Sequence, residues 1–459
     1  MTCEELLRLS PTELIEIIMR LQERIVSLLA QVADLQECLQ QAKPEKTSRN
    51  SSVPPSKSYK PNRKRSQGQK PRGPKPGHVG HSRRRQTPDV VIECRPTVCA
   101  QCGGDLTKVE PVARGMSQVV DLPPIEPIVV EAHRFSARCP CCGHEQAADY
   151  PEGLEPERVF GPQVETLVTY FHHVHHLSYE RLEQVLDEVF GLQISQGAID
   201  NILQRTAQRL EQEAEGIHHQ VQNSRVVGSD ETGVRVDGQN HWQWVFQTSQ
   251  ASYYVIDKSR GTQVITDVME EAVPEVWVSD LFSAQLSSKA QKRQICHAHQ
   301  WRDLQYAIDT ERSAFAYRMQ ELLLRSQRLF KHRDTLPAGV FQQQVRAIKQ
   351  TCDVLLGMEV RTQIARRLQK RYVKHREHLF VFLYEEGVPF DNNGSERALR
   401  NSVVHRKVLA GFRSEWGACA YATVTTVIET ARKAGGRIFK ALRALLGPPM
   451  PSAYANRSP

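Results

Sequence analysis

Two Cys-x-x-Cys-Gly knuckles, in VCAQCGG and RCPCCGH, constrain this chain more than any other feature. Cys99 and Cys102 form the first pair and Cys139 and Cys142 the second. Gly103 and Gly143 follow the pairs and permit the tight turn that aims two thiolates at one point. Four thiolates from two such turns suit a tetrahedral structural Zn²⁺, so residues 91–150 are expected to form a zinc ribbon. Gln118–Leu122 and Ile128–Phe135 have the composition of its strands, and Cys141 is the spare thiol, though it could exchange with a neighbour.

Upstream, Ser10-Pro11-Thr12-Glu13 has the chemistry of a helix start, with a cap, a first-turn proline and a capping-box acid. From there Leu14, Ile18, Leu21, Ile25, Leu28, Val32, Leu35 and Leu39 alternate steps of four and three. This is an a/d seam, predicting a coiled-coil helix over 1–43 and a homo-oligomer. Residues 44–90 are rich in Pro, Gly, Ser and base and cannot bury enough apolar surface to fold alone. Residues 43–85 hold fourteen Lys and Arg against the single acid Glu45, while the whole chain has a net charge of +8. All the excess positive charge therefore sits in one arm. There Arg63, Lys64, Arg65, Arg83, Arg84 and Arg85 are candidate phosphate contacts. A merely solvated linker is the alternative. No apolar run approaches the roughly 18 residues of a membrane helix, and MTCEELLRLS lacks a signal-peptide layout. A cytoplasmic, membrane-free protein with reduced cysteines is the expectation.

Residues 151–220 read as helical. LSYERLEQVLDEVFG and LQISQGAIDNILQRTAQRL form two amphipathic helices around Gly191, with Ser195 capping the second. The pair predicts a helix-turn-helix whose second helix, Gln196 to about Leu210, enters the major groove; a plain helical hairpin is the alternative. His172, His173, His175 and His176 read as a solvent- or phosphate-facing patch rather than a metal site. Beyond residue 224 the periodicity changes. SRVVGSDETGVRVDG, HWQWVFQTSQ and SYYVIDKS predict three strands, followed by a helix over 261–269 and a strand at EVWVSD. Three antiparallel strands, a helix and another strand is the order of an RNase H-like α/β core. Its first part is placed at 221–310, an all-α insertion at 311–388, and its last part with C-terminal helices at 389–459.

Asp230 falls in the first core strand and Asp280 at the end of the fourth, neighbours in such a fold. Glu396, after the turn Asn392-Asn393-Gly394-Ser395, begins a helix that can bring a third carboxylate to the positive helix terminus. Three carboxylates can hold two Mg²⁺ (or Mn²⁺) ions for phosphoryl transfer. Glu231 and Asp391 are alternative members. Arg397, Arg400, His405, Arg406 and Lys407 stand beside Glu396 as candidate phosphate contacts.

The leucine seam, NSSVPPS, PGHVGH, CAQCG…CPCCG, SDETGVRV, VSDLFSAQ, QICHAHQWRDLQYAI and DNNGSERALRNSVVHRKVLAGFRS occur in one order. By these motifs, nearly the whole chain resembles the insertion sequence 66 family of bacterial DDE transposases. The resemblance implies that Asp230, Asp280 and Glu396 are the acidic triad and that His299 and Arg302 assist at the DNA phosphate or the site wall. It also implies binding of element ends and target DNA, strand cleavage and strand transfer, and possible accessory proteins of the same element. Leu281-Phe282 departs from the small Gly and aromatic that many relatives carry after the second acid. The alternative function is a non-catalytic DNA-binding regulator or an inactivated transposase relic.

Overall fold

The computed structural model describes residues 10–41, 46–47, 50–51, 78, 80, 83–123, 125–151, 154–156 and 158–447. Helix α1 spans Pro11–Gln41. Ile18, Leu21, Ile25, Leu28 and Val32 of its seam are exposed, each by about half. Both cysteine knuckles are formed as turns. The Gly103 amide donates to the Cys99 carbonyl and the Gly143 amide to the Cys139 carbonyl, both at 2.9 Å. Both glycines have φ near +72°, the left-handed region where a Cβ is penalised.

The strands of this region differ from expectation. β1 (Ser136–Arg138) and β2 (Glu145–Ala147) form a short antiparallel hairpin around the second knuckle. Gln118–Leu122 and Ile128–Phe135 are not strands. Val119, Leu122 and Val129 are at least 80% exposed, so their β-forming composition meets no apolar surface that would turn it into pairing.

Helices α2 (Pro162–His175), α3 (Tyr179–Phe190) and α4 (Gln196–Gln222) follow. Ser178 and Ser195 cap α3 and α4 by accepting from Arg181 and Ala198 amides. Gly191 ends α3 in the left-handed conformation. Helix α4 runs a dozen residues past Leu210, because Ala214, Ile217 and Val221 continue its apolar stripe against the sheet. Glu165 on α2 is almost wholly buried and pairs with Arg158 and Arg205, fixing α2 against α4.

The sheet is built from β3 (Val226–Val236), β4 (Gln239–Gln247), β5 (Ser252–Asp257), β6 (Val276–Ser279) and β7 (Lys292–Ile295). Their spatial order is β5-β4-β3-β6-β7. β3, β4 and β5 are antiparallel neighbours, while β6 and β7 run parallel to β3. Asp237 and Gly238, both with positive φ, make the two-residue turn between β3 and β4. Parallel pairing of β3 and β6 requires a crossover, supplied by α5 (Thr262–Met269). A one-turn helix, α6 (Ser283–Leu286), links β6 to β7.

Alternation along the strands divides two cores. Val227, Trp244, Phe246 and Trp277 face α4, α5, α12 (Glu415–Lys433) and α13 (Ile438–Leu445). Val226, Val276, Val278 and Ile295 face the other way. They meet α7 (His297–Glu311), α8 (Ala314–Lys331), α9 (Ala338–Leu356) and α10 (Gln363–Lys374). Each fully buried aliphatic side chain of these cores contributes roughly 1.5–3 kcal/mol. Helix α11 (Asn393–Leu409) lies on this second face, where Ala398 and Leu399 pack on Val245 and Tyr254. Among the described residues, no helix is long and apolar enough to cross a membrane.

Candidate active site

Strand alternation puts the side chain of Asp230 on the face of Val226 and Gly228. Its cross-strand partner Val245 packs against α11 on that same side. Asp280 lies one residue beyond β6, in phase with Val276 and Val278, again on that side. Glu396 sits in the first turn of α11. Burial drives the Asp230 carboxyl well above the usual range, and repulsion from Glu231, Asp280 and Glu396 adds to it. Asp280 and Glu396 are thus each within electrostatic reach of Asp230.

Their oxygens are not all within 4.8 Å of one another, since among the described residues Cys296, His299 and Glu396 alone form so tight a set. A pair of ions tolerates a wider spread of ligand atoms than a single ion does. Cations about 3.5–4 Å apart, each about 2.0–2.1 Å from its oxygens, accommodate ligand atoms up to roughly 8 Å apart.

Asn392 holds α11 in place. Its Nδ2 donates to the Ser229 carbonyl at 2.8 Å, and its Oδ1 accepts from Ser395 Oγ at 2.7 Å. Its backbone amide donates to Cys296 Sγ at 3.1 Å. Helix and strand touch at Gly228, where a Cβ would come within 3.1 Å of Ser395 Oγ. On α7, one turn apart, His299 Nδ1 and Arg302 Nη2 both stand 3.8 Å from Glu396 Oε1. Arg302 also lines a cleft of about 590 Å³ with Ala298, Trp301, Gln305, Phe390 and Asp391.

The alternative acids are otherwise engaged. Glu231 points to the opposite face, where it accepts from Gln285 Nε2 at 2.9 Å and pairs with Arg260 at 2.9 Å. Arg260 is itself held between the rings of Trp242 and Phe282. The departure at Leu281-Phe282 therefore has local uses: Phe282 stacks on Arg260, and Leu281 packs on the helical core. Asp391 accepts from the Asn393 amide and side chain.

Several candidate residues lie elsewhere than the sequence suggests. His405 is 2% exposed, packs against Tyr421, Phe412, His172 and His176, and is pushed down to about 2 by burial. A neutral, enclosed ring cannot serve a phosphate. His173 and His176 are buried in the same cluster, so the histidine run is an internal packing feature, with only His175 exposed. Arg406 is tied to Thr232 Oγ1 and the Gly233 carbonyl of β3. Arg397, Arg400 and Lys407 are exposed on α11, as are Arg83, Arg84 and Arg85 on the arm. Arg63, Lys64 and Arg65 lie outside the described residues.

The four knuckle cysteines are not drawn to a common point, because no three of their sulfurs come within 4.8 Å of one another. Within each knuckle, however, neighbouring amides lower the Cys99 and Cys139 thiols, the first from Cys102 and the second from Cys142. That is the donor chemistry a thiolate-bound zinc requires. Asn392 and Cys296 are the positioning residues that sequence reasoning passed over. Their only signal was position: Asn392 as a residue of the turn before Glu396, Cys296 at the start of a helix.

No curated protein matches the chain. Residues 96–143 match the family described as the zinc-finger binding domain of transposase IS66. Residues 157–420, which span the sheet, the helical face and α11, match the family described as Transposase IS66 family. With more than half its length in that match, the chain belongs to the IS66 family of insertion-sequence transposases.

Proposed function

We propose that this transposase binds the ends of its element and cuts and joins DNA strands with Asp230, Asp280 and Glu396 as the catalytic acids. The observation that carries the reading is the Asp230 carboxyl on β3, driven upward by burial and by the neighbouring charges of Glu231, of Asp280 just past β6 and of Glu396 in the first turn of α11. The order β5-β4-β3-β6-β7, with three antiparallel strands followed by two parallel ones, supports an RNase H-like core. The residues fit a pair of hard divalent cations such as Mg²⁺: oxygen donors, a buried Asp230 whose charge is opposed by its neighbours, and a Glu396 Oε1 without a hydrogen-bond partner. When bound, such ions activate the attacking oxygen and stabilise the leaving one.

The chain's own contribution is placement. Asn392 fixes the height of α11 on β3, and the Asp280 carboxylate is oriented by the Phe282 amide at 2.9 Å. Arg302, which lines the cleft, offers a cation to a phosphate oxygen beside Glu396. Arg397, Arg400, Lys407 and the basic arm hold flanking phosphates. Helices α3 and α4 act as a helix-turn-helix, supported by an exposed stripe of Gln193, Gln196, Asn201, Gln204 and Gln208, amide side chains suited to adenine edges. The knuckles fold around Zn²⁺, and the uncovered seam of α1 pairs with a second copy of the chain. Residues 311–388 act as an all-α insertion between the second and third acids.

A supercoiled plasmid carrying the element ends, incubated with the protein and Mg²⁺, tests the central step. Nicked or linear product is expected from the parent and none from Asp280→Asn. Cleavage that survives the substitution would remove the assignment. Specific binding with no cleavage by either protein would favour a DNA-binding relic.

A further inference from the structure

Cys296 follows β7, occupies the position just before α7 and is wholly buried. His299 lies one turn along α7, and its Nδ1 faces Glu396 Oε1 across 3.8 Å. Both of these atoms are shut off from solvent, and neither has a hydrogen-bond partner. At 3.8 Å they are too far apart to bond each other. The ligand atoms of Cys296, His299 and Glu396 lie within 4.8 Å of one another, which no other trio of His, Cys, Asp or Glu achieves among the described residues.

Donors that share one tetrahedral ion at about 2.0–2.3 Å stand roughly 3.3–3.8 Å apart, so a contraction of up to about 1 Å closes this cluster on a cation. The donor set selects the cation. One sulfur, one imidazole nitrogen and one carboxylate oxygen suit a borderline ion, whereas Mg²⁺ prefers oxygen alone. The sulfur accepts a hydrogen bond from the Asn392 amide at 3.1 Å, which fixes its position beside the other two donors. We propose that Cys296, His299 and Glu396 form a site for a divalent cation of the zinc class, distinct from the knuckles and adjoining the magnesium pair, with which it shares only the Glu396 carboxylate. Binding displaces the thiol proton to solvent and leaves a fourth position for water or a phosphate oxygen. The ion satisfies the two orphaned atoms at once and anchors Glu396 to α7.

Zinc content of the full-length protein, measured without DNA after equilibration with Zn²⁺ and removal of the excess, tests this directly. The parent is expected to hold about two ions per chain, one in the knuckles and one here. Cys296→Ser and His299→Ala should each hold about one, while Cys141→Ser and Asp230→Asn keep about two. Should Cys296→Ser fail to fold, judged by its melting curve, the more exposed His299 position gives the same reading. Unchanged zinc in His299→Ala would overturn the site. Loss in Asp230→Asn as well would identify the ion with the magnesium pair and equally overturn a separate site. Because no strand chemistry enters the measurement, failure of the plasmid reaction leaves this result unaffected.

Discussion

Replacing Asn392 by Ala should loosen α11 from β3 and displace Glu396 while touching none of the three acids. The side chain is 2% exposed and makes two hydrogen bonds, to the Ser229 carbonyl at 2.8 Å and from Ser395 Oγ at 2.7 Å. Ser229 and Ser395 are themselves buried. Truncation therefore leaves two buried polar groups without these partners, at about 1–3 kcal/mol each. The Ser395 hydroxyl can rotate toward a helix carbonyl, so the expected loss lies near about 2–4 kcal/mol. Denaturant unfolding followed by tryptophan fluorescence, to which the buried Trp244 and Trp277 contribute, reads that loss. Plasmid cleavage should fall further than the folded fraction accounts for, by on the order of 100-fold, because displacement of a catalytic group by about 1 Å costs that much. Stability within about 0.5 kcal/mol of the parent, with cleavage unchanged, would refute the idea that Asn392 sets the position of Glu396.

Asp230→Asn should abolish cleavage yet stabilise the metal-free fold at neutral pH. The folded Asp230 carboxyl keeps its proton to higher pH than the unfolded one, so its favourable contribution is complete below about pH 3.9 and is lost as pH rises through the raised value. Melting curves in chelator across that range should decline for the parent and stay flatter for the variant. Glu231→Gln, on the far face, should retain the cleavage that Asp280→Asn loses, as the plasmid assay would show. Replacing Arg397, Arg400 and Lys407 together should reduce the salt dependence of DNA affinity by about 0.9 per lost phosphate contact in a log–log plot. Arg406→Ala should instead lower the melting temperature, because its guanidinium is bonded to β3. Removing zinc with a chelator, or substituting Cys102 by Ser, should open residues 96–143 to protease while the sheet keeps its protection.

The sheet was legible because its strands are β-branched and aromatic runs separated by turn residues, with Asp237-Gly238 marking the hairpin. The serine caps of α3 and α4 were equally readable, since capping is local chemistry. β7 was missed: Lys292–Ile295 carries only one apolar residue and becomes a strand through pairing with β6. The 118–122 and 128–135 stretches failed in the opposite sense, having the composition of strands without a partner. In the site, the acids stood out by type and order. The burial of His405 and the far-side orientation of Glu231 depend on tertiary packing and strand phase, and adjacency along the chain conceals both. Asn392 and Cys296 act through long-range contacts, 163 and 96 residues from the partners they secure, and no local pattern marks them.

Anomalous scattering from crystals soaked in Mn²⁺ tests the central claim most directly. The expected map has two peaks about 3.5–4 Å apart, bounded by Asp230, Asp280 and Glu396, and loses them in Asp230→Asn. Manganese bound elsewhere in the chain, with these three carboxylates bare at saturating metal, would contradict it.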